Sequence, residues 1–327
     1  MLTYLIRRVL YAFPILLGVN ILLFILFFFV NSPKDMAETY LGEKRVTPEQ
    51  MENWLREHGY HLPRLINIEA GFPGCFTRTI FWQKSMPLFL FRFGTSDLTD
   101  ADIGKEIADR FPYSLSVTVP VFFAGVILAL FFSMLVAYYR GTYVDTWVLV
   151  LCVLMMSISA MIYIVVAQYL FAIKLRLTPV SGFDAHPIHM WKFLVLPVAI
   201  GVIAGLGANI RYYRTIFLEE INRDYVRTAR AKGLGEGRVL FKHVLKNAMI
   251  PILTNVVVSI PFLIVGSLLL ENFFGIPGMG SYLIEAISRQ DFMVVRAMVF
   301  LGSVLYITGL IGVDLSYTLV DPRVRLE

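Results

Sequence analysis

Charge is what this 327-residue sequence has least of: Asp, Glu, Lys and Arg make up 16% of it, against about 25% in ordinary soluble chains. Apolar residues take up the difference, reaching 57% with 14% aromatic. One aqueous core cannot bury that much apolar surface, so an ordinary soluble domain is excluded and the solvent is lipid. Cysteine is nearly missing as well. Cys75 in a polar stretch and Cys152 in an apolar run provide neither a disulfide framework nor a metal-ligand cluster. Signatures of catalysis are also lacking. No G-x-x-x-x-G-K-[ST] occurs, and Gly104-Lys105 has no upstream glycine and is followed by Glu106. The chain therefore binds no ATP through a P-loop. Neither G-x-S-x-G nor H-E-x-x-H is present, so a hydrolase or metalloprotease is disfavoured and the chain reads as a non-enzyme.

Long apolar runs are abundant. A bilayer core of about 30 Å takes roughly 20 residues of helix at about 1.5 Å each. Six stretches qualify: Val9–Val30, Leu115–Tyr139, Trp147–Ile173, Phe193–Ile210, Ala248–Leu270 and Met293–Leu319. The first five contain no acidic or basic residue, and the fourth is expected to continue past Arg211. These runs predict an all-α integral membrane fold of six transmembrane helices.

The formal charge of +5 invites a nucleic-acid reading until the charges are mapped. With a cytoplasmic N-terminus, that side receives Arg7, Arg8, Arg140, nine basic residues from Arg211 to Lys246, Arg323 and Arg325. The short loops of the opposite side hold only Lys174, Arg176, Lys192 and Arg289. Basic residues concentrate in cytoplasmic loops, so both termini are expected there, and the surplus reports topology, not nucleic-acid affinity. Arg7 and Arg8 precede an apolar run longer than a signal peptide's, and no A-x-A-like site follows it. It reads as a retained anchor.

The segments are then 1–30 for the N-terminus and first helix, 31–114 outside the cytoplasm, 115–319 for the membrane core, and 320–327 for a cytoplasmic tail. Thr47-Pro48-Glu49-Gln50 in the outer segment predicts a helix from about Pro48 to His58 ending at Gly59, with Thr47 as cap. Asp100–Arg110 is expected to form a second short helix. The whole segment reads as a small outer cap without a core of its own.

Ionisable groups are scarce at membrane depth, where ion-coupled carriers place them. Only Arg296 and Asp314 fall inside a predicted span, each near an end. A self-contained ion-driven pump is disfavoured, and energy for transport against a gradient has to come from a partner. His58/His61 and His186/His189 are spaced as transient metal sites, but polar loop residues explain them as well, and no metal is assigned.

The most informative stretch is the cytoplasmic loop 211–247. In it two helix-compatible halves flank Gly233-Leu234-Gly235-Glu236-Gly237, with Gly233 suited to a helix C-terminus. Ala229 and Ala231 alternate with Arg227, Arg230 and Lys232. Such a segment fits either a protein groove or anionic lipid head groups, and residue types alone do not choose.

The stretch Asp224-Tyr225-Val226-Arg227-Thr228-Ala229-Arg230-Ala231-Lys232-Gly233-Leu234, followed by His243 and Asn247, resembles the coupling ("EAA") loop of ABC importer permeases. Its wording is that of the dipeptide/oligopeptide/nickel branch, except that Arg227 stands where the general pattern has an acid. Further segments resemble that branch in the same order: Tyr4-Leu5-Ile6-Arg7-Arg8, Pro179-Val180-Ser181-Gly182, Glu271-Asn272-Phe273-Phe274-Gly275-Ile276-Pro277-Gly278-Met279-Gly280 and Val320-Asp321-Pro322-Arg323. The closing segment and the long outer segment are most similar to the microcin/oligopeptide type, although Gly71–Pro87 departs from the family pattern.

The resemblance implies the type I importer permease fold in a bacterial plasma (inner) membrane. It implies a chain that forms half of a peptide pathway and binds no cofactor itself. The implied partners are a second homologous permease, two ATP-binding subunits that hold ATP and Mg, an extracytoplasmic substrate-binding protein and membrane lipid. Tyr225, Arg227–Leu234, His243 and Asn247 would meet the ATPase. Ser157, Ser159, Gly205, Asn209, Ser259, Gly266 and Ser267, with Gly207, are candidates to line the pathway, although each also suits helix packing. A metal chelate or haem substrate, or an ATP-independent carrier or channel, remain the alternatives.

Overall fold

The computed structural model describes residues 2–42, 47–68, 71–184 and 186–320. No strand occurs among them; one isolated bridge joins Thr95 and Asp102. The principal helices are α1 (Leu2–Ile25), α2 (Pro33–Leu41), α3 (Pro48–Glu57), α4 (Ile103–Tyr138), α5 (Tyr143–Ser157), α6 (Ala160–Ala167), α7 (Pro187–Ile221), α8 (Asp224–Ala231), α9 (Leu245–Ser259), α10 (Leu268–Phe274), α11 (Met279–Ser288) and α12 (Phe292–Val320). Among the described residues, five segments are long and apolar enough to cross a membrane: Ile6–Val30, Ile103–Tyr138, His189–Ile221, Glu236–Phe274 and Phe292–Leu315. Tyr143–Ser157 and Ala160–Lys174 make a sixth if counted as one span bent by 90°. The protein is an all-α, multi-pass membrane protein.

Where local chemistry decides, the elements follow the sequence. Thr47 accepts from the Gln50 N–H while the Gln50 side chain accepts from the Thr47 N–H, a capping box that starts α3. Elsewhere tertiary contacts override the local pattern. Asp100–Arg110 is no separate helix. Asp102 caps the Lys105 N–H at 2.8 Å, and α4 then runs uninterrupted through Pro112 and Pro120. The fourth span extends past Arg211 to Ile221 because Arg214 forks onto Asp145 of α5, with both bonds at 2.8 Å. The Gly141 N–H adds a third bond to that buried carboxylate. Stripping one partner from such a pair costs about 3–5 kcal/mol, which ties α5 to α7.

The chain forms two compact units. The N-terminal unit comprises Leu2–Asp109 and Tyr282–Ile307, so the outer segment shares a core with α1 and the start of α12 and is not a cap lying apart. Phe24, Phe28, Met36, Trp54, Tyr60 and Ile80 are buried in it. Polar groups are buried there too. Asn20 Nδ2 donates to the Ser85 carbonyl at 2.9 Å, Arg296 Nη2 donates to the Lys84 carbonyl at 2.9 Å, and Tyr60 donates to Asp97 at 2.6 Å. Burial pushes the Asp97 carboxyl up and the Lys84 ammonium down from their ordinary values.

The core unit comprises Arg110–Ser281 and the described residues from Thr308 onward. Residues 321–327, which hold Asp321-Pro322-Arg323, lie outside the described residues.

Candidate functional site

Two apolar segments of the core unit are broken part-way. Between α5 and α6, Ile158 and Ser159 are extended, and Ser157 turns its hydroxyl back onto the Val153 carbonyl at 2.8 Å. Between α9 and α10, the chain passes through Pro261 and then Gly266 at φ 81°, ψ −177°, a conformation open essentially to glycine alone. Non-helical backbone at membrane depth is tolerated only where protein buries it or a cavity solvates it. Both devices are present. The Thr118 hydroxyl of α4 donates to the Leu263 carbonyl at 2.8 Å, and Tyr163 donates across the first break to the Met155 carbonyl at 3.0 Å. The irregular backbone at Gly266 and Ser267 borders a cavity of about 630 Å³ walled by α4, α6, α7, α9 and the Leu263–Leu270 stretch.

Among the described residues the cavity's lining holds no Asp, Glu, Lys, Arg or His; its polar lining is Thr118, Asn209, Tyr213, Asn255, Ser259 and Ser267. Of the sequence-derived pathway candidates, Gly205, Asn209, Ser259, Gly266 and Ser267 meet here. Ser157 and Ser159 are not in its wall; both stand exposed at the break in the bent span. Gly207 is a packing residue, since a Cβ there would lie 2.8 Å from the Cys152 carbonyl of α5. Gly205, one turn face away, meets only the Asn209 amide at 3.8 Å. Sequence reasoning passed over Thr118, Tyr213 and Asn255, whose positions in apolar helices carry no local signal.

It named Glu271 only within the segment that resembles the permease branch and gave it no role. The candidate span Glu236–Phe274 includes this carboxylate, which is fully buried. Glu271 Oε1 accepts the Ser267 N–H at 3.0 Å, and Oε2 accepts the Gly280 and Ser281 N–H groups at 2.7 and 3.2 Å. Ser114 Oγ accepts the Met279 N–H at 2.7 Å beside it. A Cβ at Gly266 or Gly278 would fall inside the shell of this carboxylate, so the two glycines make room for it. The Pro179-Val180-Ser181-Gly182 segment docks on the same loop. The Gly182 N–H donates to the Phe274 carbonyl at 2.8 Å, and Gln168 Nε2 bridges the Val180 and Phe273 carbonyls at 2.9 and 3.1 Å. A lone acid followed by three glycines within nine residues was the available signal, because such loops leave N–H groups in need of an acceptor.

The second candidate region is the hairpin after α7. Gly233, at φ 79°, closes α8 in a Schellman turn: its N–H donates to the Arg230 carbonyl and the Leu234 N–H to the Ala229 carbonyl. Arg230 reaches across the turn to Glu236 with bonds of 2.7 and 3.2 Å. Val226 and Ala229 are buried and pack with Phe217, Ile221, Leu240 and Val244. Arg227, Thr228, Ala231, Lys232 and Gly233 face outward, and Leu234 and His243 are half-buried. Ala229 therefore roots the helix, and the exposed small residue is Ala231. Tyr225 and Asn247, distant in sequence, are brought together: Tyr225 donates to Glu220 at 2.7 Å and is hydrogen-bonded by the Asn247 side chain. Burial, with Glu220 adding to it, pushes the Tyr225 phenol up to about 12.

The histidine pairs differ from ligand sets. His58 stacks on Trp54 at 4.2 Å between centroids with its Nδ1 2.9 Å from the Trp54 carbonyl, and His186 and His189 lie 5.6 Å apart. No group of three or more His, Cys, Asp or Glu gathers among the described residues. Cys75 and Cys152 are both free.

The family described as binding-protein-dependent transport system inner membrane component matches residues 122–326, and the N-terminal segment of such membrane components matches residues 1–118. The chain is 32% identical over 325 residues to a peptide transport system permease protein of Brucella abortus (strain 2308), covering 98% of each chain. It is 32% identical over 287 residues to the dipeptide transport system permease protein DppB of Bacillus subtilis (strain 168), covering 88% of each. It is 31% identical over 349 residues to the di/tripeptide transport system permease protein DppB of Pseudomonas aeruginosa (strain UCBPP-PA14), covering 99% of each. Several apolar spans enclosing an uncharged cavity, and family matches that run from residue 1 to residue 326, lead to one conclusion: this chain belongs to the family of binding-protein-dependent transport system inner membrane components.

Proposed function

We propose that this chain forms half of the translocation pathway of an ATP-driven importer of di- or oligopeptides, in a bacterial plasma (inner) membrane with both termini cytoplasmic. Family membership makes it one component of an ABC transport system. In our reading the other components are a second homologous permease, two ATP-binding subunits that hold ATP and Mg, and an extracytoplasmic substrate-binding protein. This chain itself holds no cofactor. The peptide assignment is supported by the names its relatives carry, and by a cavity whose neutral hydroxyls and amides offer hydrogen bonds without a fixed charge.

The observation that carries the coupling role is the rooting of α8. Val226 and Ala229 anchor it in the core unit while Arg227, Thr228, Ala231 and Lys232 present a cationic, small-residue face. A short helix held in this way passes a push from a partner into the spans as rigid-body displacement, because its buried root leaves little slack. ATP-driven closure of the partner subunits would move two such helices together and rock the spans around the cavity.

The test is Ala231→Glu combined with Lys232→Glu in the assembled transporter. Both side chains point outward, so insertion and helix content should stay intact while receptor-stimulated ATP hydrolysis and uptake are lost. Normal stimulated turnover in that double variant would sink the coupling assignment.

A further inference from the structure

A second concavity, of about 530 Å³, lies in the core unit between α7 and the π-helical stretch Gln168–Lys174 that follows α6. Its wall is nearly all hydrocarbon, from Phe171, Leu177, Val195 and Ile203 among others, and these four are 42–70% exposed. Its polar members are Thr178 and Lys192. Trp191 stands in the wall beside Lys192 and is 59% exposed. Lys174 ends the π-helical stretch and Arg176 immediately precedes the lining residue Leu177, so two further cations are close in sequence to the groove wall. Lys174, Arg176 and Lys192 are exposed, and none forms an ion pair among the described residues. Asp184, the acid in the connecting loop, accepts the His186 N–H at 2.9 Å.

We propose that this groove holds a phospholipid with an anionic head group: one acyl chain lies along Phe171, Val195 and Ile203, and the phosphate is held by Lys192 with Lys174 and Arg176. Charge complementarity selects this occupant. A hydrocarbon trough with Lys192 in its wall and two further unpaired cations on the adjoining segment matches a molecule that is apolar along its length and negative at one end, and each basic residue adds to the attraction for anionic lipid. Tryptophan favours the same interfacial depth, and lysine stems lie along apolar surface while their ammonium groups reach the head-group layer. A helix of another subunit fits less well, because covering the groove would desolvate Lys192 without supplying a counter-charge. A peptide fits less well again, since the wall offers hardly any hydrogen-bonding groups. The inference is independent of the transport reading, requiring only that α7 spans a membrane.

The intact transporter, purified from nanodiscs of mixed phosphatidylglycerol and phosphatidylcholine, can be examined by native mass spectrometry. Wild type should retain one more phosphatidylglycerol than the Lys174→Gln, Arg176→Gln, Lys192→Gln triple variant, whose retention should fall about tenfold or more, and phosphatidylcholine should not substitute. Ala199→Phe keeps all three cations but fills the trough from an exposed lining position, and it should lose the same lipid. Equal retention by wild type and either variant would overturn the proposal. A photocrosslinker at Val195 that captures another subunit instead of lipid would overturn it as well.

Discussion

Replacing Glu271 by Gln tests whether the buried carboxylate organises the cavity wall. The side chain keeps its size but loses half of its acceptors. In the native loop Oε1 serves the Ser267 N–H, and Oε2 serves the Gly280 and Ser281 N–H groups. An amide presents its NH₂ to one of these two sets, so one or two buried donors lose their acceptor and face another donor. Each orphaned group costs about 1–3 kcal/mol, which puts the change at about 2–4 kcal/mol. One term opposes this. A buried charge carries a desolvation cost that the neutral amide avoids, and neutralising such charges is stabilising in some proteins. The loop decides the balance here, because three N–H groups and the Ser114 hydroxyl converge on the carboxylate and a Cβ at Gly266 or Gly278 has no room beside it.

At about 2–4 °C per kcal/mol for a body of this size, Glu271→Gln should unfold roughly 4–16 °C below wild type. The readout is loss of helical circular dichroism, or of the monodisperse gel-filtration peak, during heating in detergent. Glu271→Ala orphans all three donors and should fall further. Transport should fail with stability, since Gly266 and Ser267 border the cavity. An unchanged or raised midpoint for Glu271→Gln would refute the reasoning, because desolvation would then outweigh the hydrogen bonds.

Two other perturbations follow from the geometry. Gly207→Ala should cost about 1–3 kcal/mol by forcing α5 and α7 apart, since the intruding methyl meets the Cys152 carbonyl at 2.8 Å, whereas Gly205→Ala enters open space and should leave the melting midpoint unchanged. Tyr225 binds its proton more tightly folded, at about 12, than unfolded, at about 10. The hairpin's resistance to proteolysis should therefore hold up to about pH 10 and fall as pH rises towards 12, while Tyr225→Phe should lack that loss.

The legible features were those written in consecutive residues. Apolar runs located the spans to within a few turns, and Thr47 with Gln50 announced α3 through bonds made entirely within four residues. The Gly233 turn was legible for the same reason. What stayed hidden depends on partners far along the chain. The bend at Ile158 contains neither proline nor glycine, and Tyr163 bonds across it to the Met155 carbonyl. The length of α7 depends on Asp145, 69 residues away from Arg214. The role of Glu271 stayed hidden because it lies just past an apolar run and its partners at Gly280 and Ser281 lie further on. The small residues of α7 made the difficulty plain: Gly205 and Gly207 are two apart and chemically identical, yet one borders the cavity and the other touches α5.

The two broken spans also bear on how a solute would pass. The break between α9 and α10 borders the cavity, while the bent span meets it at Ala160 and Ile164, and the cavity's polar lining is hydroxyls and amides. Such groups stay neutral at every pH the membrane meets, and they offer both donors and acceptors. A fixed carboxylate or ammonium would bind one end of a zwitterion strongly and slow its departure, whereas a conducting site has to bind weakly enough to release. Glu271, an acid beside the cavity, is turned into the loop and occupied by backbone N–H groups, so its charge is spent on the wall. On the importer reading, an uncharged passage cannot distinguish one short peptide from another by charge. Selection then has to be exercised before the solute reaches the cavity, at the receptor, and exchanging the receptor should change the substrate range more than any single substitution among Thr118, Asn209, Asn255 and Ser259.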